Sequence, residues 1–319
     1  MTSGRGSFLA RMSGEFGIGI AFVLEFLLFA VLSPYFFTPD NLLNVTLQAS
    51  ITAIIAAGMT FVILTGGIDL SVGSLVAFAG IVTTGVLKSG LPGGVAFPAA
   101  LAAGLVAGGL AGAFAGFCIT RFSITPFIVT LATMTIARGA AFVITDGRPI
   151  WELPDAFAFL GSGRLLGVPV PSVIMVLTFV VSHVALTRTR FGRHVYAVGG
   201  NIEAARLAGI RTSRVLINVY VISGGLAALS GILLASRMNS GQPNAGLSYE
   251  LDVIASVVVG GTSLSGGKGS IIGTFIGAML IAVLRNGLNL LNVGSYVQQV
   301  IVGAVILLAV MVDQLRRRG

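Results

Sequence analysis

"GGIDLSVG", residues 66–73, lies between two long apolar runs and is nearly repeated further along the chain as "GGTSLSGG", residues 260–267. Five of the eight positions are identical, and each stretch follows a run rich in Val and Ile. Glycines that interrupt apolar runs at matching places predict an internally duplicated membrane protein, and chance similarity in a chain rich in Gly and Leu is the alternative. The predicted repeat positions are Gly66, Gly67, Asp69, Ser71, Gly260, Gly261 and Ser265, with Ser263 opposite Asp69.

The composition places these apolar runs in a membrane. Of the 319 residues, 55% are hydrophobic and only 9% are charged, whereas soluble domains carry roughly 25% charged residues. Runs of about 20 apolar residues recur, and a helix of that length crosses a hydrocarbon core of about 30 Å. The 44 glycines fit helices that approach one another closely in lipid. The sequence therefore predicts an all-α polytopic membrane protein.

We count ten apolar segments as predicted transmembrane helices. They cover residues 16–33, 42–65, 72–88, 95–119, 125–145, 170–187, 214–237, 251–265, 269–292 and 295–312. We expect them to form one transmembrane domain, 1–319, with a first half at about 40–187, a polar loop at 188–214 and a second half at 214–313. The glycine-rich breaks between some spans could lie at membrane depth, inside the protein.

Most of the 19 basic residues fall in alternate segments between the predicted spans. If the N-terminus is inside, these are the inner segments, as the positive-inside rule predicts. An even number of spans then places both termini in the cytoplasm. Both glycine stretches lie on the inner side in this arrangement, which implies a parallel repeat unless one stretch is re-entrant. The formal net charge of +8 thus follows from membrane orientation, and no nucleic-acid partner is expected.

Few residues offer metal or nucleotide chemistry. One cysteine and two histidines exclude an intrachain disulfide and predict no metal site. The stretch "VVVGGTSLSGGKGS", residues 257–270, is not a nucleotide-binding loop, because Thr262 replaces the first glycine of G-x-x-x-x-G-K-[ST] and Gly269 follows Lys268. No pair of acids occurs within a predicted span, which disfavours a membrane-embedded enzyme.

The polar loop between the sixth and seventh spans, Arg188 to Arg214, is the most charged stretch of the chain. Asn201 can cap a helix, Glu203 suits its positive end, and Gly209 suits the left-handed position after its last turn. These residues predict a helix over Ile202–Ala208. So short a helix is marginal in water and needs a surface to pack against. A solvated connector is the alternative.

The sequence of this loop resembles a known motif. "VGGNIEAARLAGI", residues 198–210, is similar to the Glu-Ala-Ala-x-x-x-Gly coupling-helix motif of ATP-binding-cassette importer permeases. Four further stretches resemble the ribose-type sugar branch of these permeases, and the likeness extends from about residue 40 to the C-terminus. They are "GMTFVILTGGIDLSVGS" at 58–74, "TMTIARGAAFV" at 133–143, residues 257–270, and "LRNGLNLLNVGSYVQQVIVG" at 284–303.

The resemblance implies a function and a set of partners. A separate cytoplasmic ATPase subunit, which uses ATP and Mg²⁺, would dock on the loop helix, while this chain binds no cofactor itself. A second permease copy, lipid of the bacterial inner membrane and an extracytoplasmic sugar-binding protein would complete the assembly. Ile202 departs from many relatives, which carry a polar or acidic residue there. Carried over by position, the ATPase contacts are Gly200, Asn201, Glu203, Ala204, Ala205 and Gly209.

Polar residues within the spans are candidates for a sugar path, because burying a hydroxyl group without a partner costs roughly 2–7 kcal/mol. Arg138, Asn286 and Asn289 are the candidates. For the asparagines, hydrogen bonding between helices is the alternative. For Arg138, the alternative is pairing with Glu25 or with backbone carbonyls. We expect Asp69 to cap the helix that begins at Leu70 or Ser71, with gating as its alternative.

The outer segment from Asp146 to Pro171 holds the only tryptophan, Trp151. It could dock the binding protein or lie as a loop at the membrane interface.

An ion-coupled secondary transporter is the main competing hypothesis. Ion coupling usually requires carboxylates inside the membrane. The sequence places only Glu25 well inside a span, with Asp252 near a span end, so a proton path is poorly supplied.

Overall fold

A computed structural model describes the backbone of residues 3–318 and the side chains of residues 17–92, 94–305, 307, 308 and 311. The basic side chains near the two ends, which the prediction of orientation used in part, lie outside the described residues. These are Arg5, Arg11 and Arg316 to Arg318.

The described chain is almost entirely helical, as predicted, and it also contains one small β-hairpin. The helices are α1 (Ser3–Leu32), α2 (Pro39–Leu64), α3 (Val72–Leu87), α4 (Gly93–Phe122), α5 (Pro126–Thr145), α6 (Asp155–Ser162), α7 (Val170–Arg188), α8 (Arg190–Gly200), α9 (Ile202–Leu207), α10 (Thr212–Arg237), α11 (Tyr249–Val259), α12 (Ile271–Leu290) and α13 (Ser295–Arg318). The strands β1 (Arg164–Leu165) and β2 (Val168–Pro169) pair antiparallel between α6 and α7.

Six helices in the described part of the chain are long and apolar enough to cross a membrane: α2, α4, α5, α7, α10 and α12. Shorter apolar helical stretches cover residues 17–32, 72–87 and 295–305. The predicted span at 251–265 is wrong in extent, because α11 ends at Val259. Its 11 residues cover about 16 Å, roughly half of the hydrocarbon core.

α10 packs against α2, α3 and α4, and α2 in turn packs against α10, α11 and α12. Glycines allow the closest of these contacts. A Cβ atom on Gly224 of α10 would lie 2.2 Å from the carbonyl oxygen of Gly108 on α4, so the two backbones touch. Small residues at helix crossings are the usual means of packing helices in lipid.

The contacts follow the same order in the two halves of the chain. α3, α4 and α5 contact one another, and so do α11, α12 and α13, while α2 and α10 pack together. This pattern pairs α2–α5 with α10–α13. The two glycine stretches do not occupy equivalent places in it, because residues 66–71 follow α2 whereas residues 260–270 follow α11. Their prediction as equivalent copies is therefore wrong, since local sequence likeness does not report which helices they connect.

α3 begins at buried residues, whereas Leu247 and Leu251 at the start of α11 are exposed. Non-helical segments, residues 65–71 and 238–248, lead into these two helices. A Cβ atom on Gly73, in the first turn of α3, would lie 2.4 Å from the carbonyl oxygen of Gly246 in the second segment. The two backbones are therefore in direct contact.

Candidate functional site

The predicted loop helix is present as α9, one residue shorter than expected. The Oδ1 atom of Asn201 accepts a hydrogen bond from the backbone N–H of Ala204 at 2.9 Å. Gly209 has a φ of +82°. Its N–H donates to the carbonyl of Arg206, and the N–H of Ile210 donates to that of Ala205. These two bonds form a Schellman motif, so both predicted caps are confirmed.

α9 presents an unpartnered surface in the single chain. Its residues are exposed except Ala205, which is 5% exposed. Leu207 is 88% exposed and Ile202 is 43% exposed, although both are large and apolar. Glu203 pairs with Arg206 at 3.8 Å on the same surface. A two-turn helix with exposed apolar side chains is a surface suited to another protein.

Five of the six predicted ATPase contacts lie on this surface: Gly200, Asn201, Glu203, Ala204 and Gly209. The prediction for Ala205 is wrong, because its side chain faces the chain's own core. A helix this short needs one face anchored within the chain to be stable, and Ala205 provides that face.

α8 carries α9 and anchors it to the helix bundle. Val195 and Val198 of α8 are buried, and the hydroxyl group of Thr189 caps α8 by accepting a hydrogen bond from the N–H of Gly192. A Cβ atom on Gly199 would lie 1.7 Å from the carbonyl oxygen of Leu64, the last residue of α2. α8, which precedes the loop helix, is thus in direct backbone contact with the end of a membrane-capable helix.

The two glycine stretches meet at this same point. The N–H of Gly267 donates to the carbonyl of Leu64 at 2.9 Å. Gly266 has a φ of +80°, and a Cβ atom there would lie 2.8 Å from the backbone nitrogen of Gly66 and 2.9 Å from the carbonyl oxygen of Gly199. The structure therefore brings repeat positions of both stretches against the end of α8, a relation that the sequence alone did not indicate.

Asp69, in the first glycine stretch, is 1% exposed and has a structural role. Its Oδ1 atom accepts hydrogen bonds from the backbone N–H and the hydroxyl group of Ser71, at 3.0 and 2.5 Å. Its Oδ2 atom accepts one from the hydroxyl group of Ser223 on α10 at 2.7 Å. These bonds hold the non-helical segment against α10. The helix that follows, α3, begins at Val72, slightly later than predicted. The predicted capping role is wrong, because the N-cap of α3 is Ser71 and Asp69 accepts no hydrogen bond from an N–H group of α3.

Arg138 of α5 links α3 to the non-helical segment before α11. Its Nη1 atom donates to the carbonyls of Pro243 and Ala245, at 2.8 and 2.7 Å, and its Nη2 atom donates to that of Gly73 at 3.3 Å. The alternative prediction, pairing with backbone carbonyls, is the one that the structure shows. Three of the five N–H donors of the guanidinium group are thus used within the chain.

The two asparagines of α12 also have partners within the chain. Asn286 is 5% exposed, and its amide exchanges two hydrogen bonds with that of Asn41 on α2, at 2.9 and 3.0 Å. The Oδ1 atom of Asn289 accepts from Gln298 on α13 at 2.7 Å. Both asparagines thus link helices, which was the alternative to their predicted place in a sugar path.

The sequence missed an ion pair between α11 and α12. Arg285 donates to Asp252 at 2.6 Å, and the Asp252 side chain is only 16% exposed. Asp252 lies in the first turn of α11, near the end of a span as predicted. Single opposite charges on neighbouring apolar segments are the signal that would have indicated this pair.

Comparison with known proteins agrees with this architecture. Residues 41–310 match the model of a family described as a branched-chain amino acid transport system, permease component. The chain belongs to this permease family. A match of this length includes both sets of four helices, α2–α5 and most of α10–α13.

Several sugar permeases resemble this family member along most of their length. The ribose import permease RbsC of Bacillus subtilis (strain 168) is 52% identical over 287 residues, which is 89% of this chain and 88% of the relative. RbsC of Escherichia coli (strain K12) is 46% identical over 298 residues, 92% of each chain. The L-arabinose transport system permease AraH of the same strain is 39% identical over 311 residues, 97% of this chain and 93% of the relative. No solved structure matches the chain significantly.

Proposed function

We propose that this chain is the membrane-spanning permease subunit of an ATP-binding-cassette importer that carries ribose or a related monosaccharide into the bacterial cytoplasm. The observation that carries the proposal is α9, a capped and exposed helix that follows α8, which is in backbone contact with the bundle. The sugar class rests on the relatives, which are named as ribose and arabinose permeases, and not on the amino-acid system after which the family is described.

The energy source in this proposal is a separate ATPase subunit. This chain lacks a nucleotide-binding loop, so ATP and Mg²⁺ would be bound by the partner. Force on α9 would pass through α8 to Leu64 and Gly267, because Gly199 lies against both residues. Leu64 is the last residue of α2, and Gly267 lies in the loop between α11 and α12. The coupling helix thus has a backbone route into both halves of the bundle.

The remaining features of the proposal concern orientation and partners. α9 marks the cytoplasmic side, and ten membrane segments, some of them partial crossings, place both termini on that side. A second copy of this chain would complete the pore within the lipid of the inner membrane. The segment between α5 and α7 lies at the opposite end of α7 from α8, and exposes Trp151 and Leu166. An extracytoplasmic sugar-binding protein would dock there.

The test is recovery of the ATPase with the permease. Glu203→Lys reverses a charge in the first turn of α9, and we expect it to reduce co-purification of a cassette ATPase at least about tenfold. Asp155→Lys is the matched control, because Asp155 lies in the first turn of α6, a short exposed helix at the other end of the bundle. The control should recover the ATPase normally.

Two outcomes would contradict the proposed function. One is equal ATPase recovery with wild type and Glu203→Lys. The other is sugar uptake by proteoliposomes under an ion gradient without any ATPase, which would instead establish the secondary transporter.

A further inference from the structure

A groove lies between α8, the turn that follows α9, and the first turns of α10. Its volume is about 470 Å³. Its lining includes the side chains of Phe191, His194, Ile210, Arg211, Arg214 and Val215. We call this feature the basic groove. Ala208 and Gly209 also line it, so the groove borders the α9 surface at the predicted ATPase contact Gly209.

The basic groove carries positive charge that nothing in the described chain neutralises. Arg211 and Arg214 are exposed, and neither has an ion-pair partner among the residues whose side chains are described. No acidic residue lines the groove. Glu203, the acid of α9, is paired with Arg206. Two guanidinium groups at one cavity favour a ligand with an anionic oxygen group such as a phosphate.

The walls and position of the groove identify the source of that phosphate. Phe191, Ile210 and Val215 give it apolar sides, which a soluble anion does not need. From Arg211 to Asn218 the groove follows α10 for about 10 Å. This length covers the polar layer of one leaflet, roughly 5–8 Å thick, and the start of the hydrocarbon layer. α10 is long and apolar enough to cross a membrane, so we place its first turns in that layer.

We propose that the basic groove binds the head group of an anionic phospholipid. Arg211 and Arg214 contact the phosphate, and the glycerol and upper acyl chains lie against Phe191 and Val215. Basic pockets beside transmembrane helices are the expected form of such sites. The bound lipid would stabilise the turn that follows α9. The inference requires only that α10 crosses a membrane, and it is independent of the transported solute.

The first test measures lipid retention. The purified chain is equilibrated in detergent with equal amounts of phosphatidylglycerol and phosphatidylcholine, and bound lipids are counted by native mass spectrometry. We expect wild type to retain phosphatidylglycerol preferentially, and the double variant Arg211→Gln/Arg214→Gln to retain roughly tenfold less. The control variant Arg148→Gln/Arg164→Gln removes the same charge in the segment between α5 and α7 and should retain as much as wild type.

A second measurement locates the lipid. Asn218 is exposed at the membrane end of the groove, so Asn218→Trp in a Trp151→Phe background places one indole there. We expect brominated phosphatidylglycerol to quench this indole more than brominated phosphatidylcholine does at the same mole fraction. Equal quenching by both lipids would overturn the proposal.

Two further outcomes would also overturn it. One is an equal loss of phosphatidylglycerol in the groove variant and the control. The other is unchanged lipid retention with loss of ATPase recovery, which would assign the groove to the protein partner.

Discussion

The two glycine stretches are alike in sequence, but their backbones follow different paths in the structure. The first, residues 66–73, enters the protein, and its Asp69 is fixed by Ser71 and by Ser223 of α10. The second, residues 260–267, turns back at the end of the bundle, where the N–H of Ser263 donates to the carbonyl of Lys268 at 2.9 Å. Asp69 aligns with Ser263, so the stretches differ in sequence at the residue that fixes the path of the first one. A shared glycine pattern permits tight backbone packing but does not specify which segments pack.

The largest expected effect is in the second stretch. Gly266→Val combines a positive φ with backbone atoms less than 3 Å from the new Cβ atom, and we expect a loss of roughly 3–5 kcal/mol in unfolding free energy. The measurement is reversible unfolding in detergent. Gly90→Val is the control, because Gly90 has a φ of +79° and no atom within 4 Å of a built Cβ. If both variants lose the same amount, the packing of the two stretches contributes nothing.

The next effect separates the two stretches directly. Asp69→Ala removes the acceptor of three buried hydrogen bonds and leaves Ser71 and Ser223 without it, so we expect a loss of about 3 kcal/mol. Ser263→Ala, the aligned change, should cost less than about 1 kcal/mol. Thermal unfolding of the two variants side by side checks this order. Similar losses would show that the Asp does not distinguish the stretches.

The smallest effect concerns one buried hydroxyl group beside each stretch. The Tyr220 hydroxyl near Gly67 and the Thr262 hydroxyl are both buried without a hydrogen-bond partner. Tyr220→Phe and Thr262→Val remove these groups with little change of shape, so we expect stability to stay within about 1 kcal/mol of wild type or to rise. A clear loss in only one variant would reveal a bound water beside that stretch alone, and would sharpen the contrast between them.

The parts of the site that the sequence predicted well are local. Asn201 and Gly209 fix the two ends of α9 through hydrogen bonds that span only a few residues. Helix capping depends on neighbouring residues alone, so a single sequence contains the whole rule. The identity of the buried face did not follow in the same way. Ala205 was expected at an interface, and it packs inward because α8 places that face against the bundle.

The parts that the sequence did not predict depend on distant partners. Asn286 pairs with Asn41, and Arg285 pairs with Asp252, across segments that no motif connects. A polar residue in an apolar helix indicates that a partner exists, because an unpaired group in hydrocarbon is costly. It does not indicate whether that partner is another helix, a backbone carbonyl or a transported sugar.

The sequence by itself determined the membrane class, the positions of most helices and the capped helix in the polar loop, since apolar run length and capping residues act within one segment. Only the tertiary structure decided that the two glycine stretches meet beside Gly199, that α11 ends at Val259, and that Arg138 links α3 to the segment before α11. The physical reason is that backbone polar groups buried in a bundle must find partners. Which partners they find depends on how the helices are arranged in space.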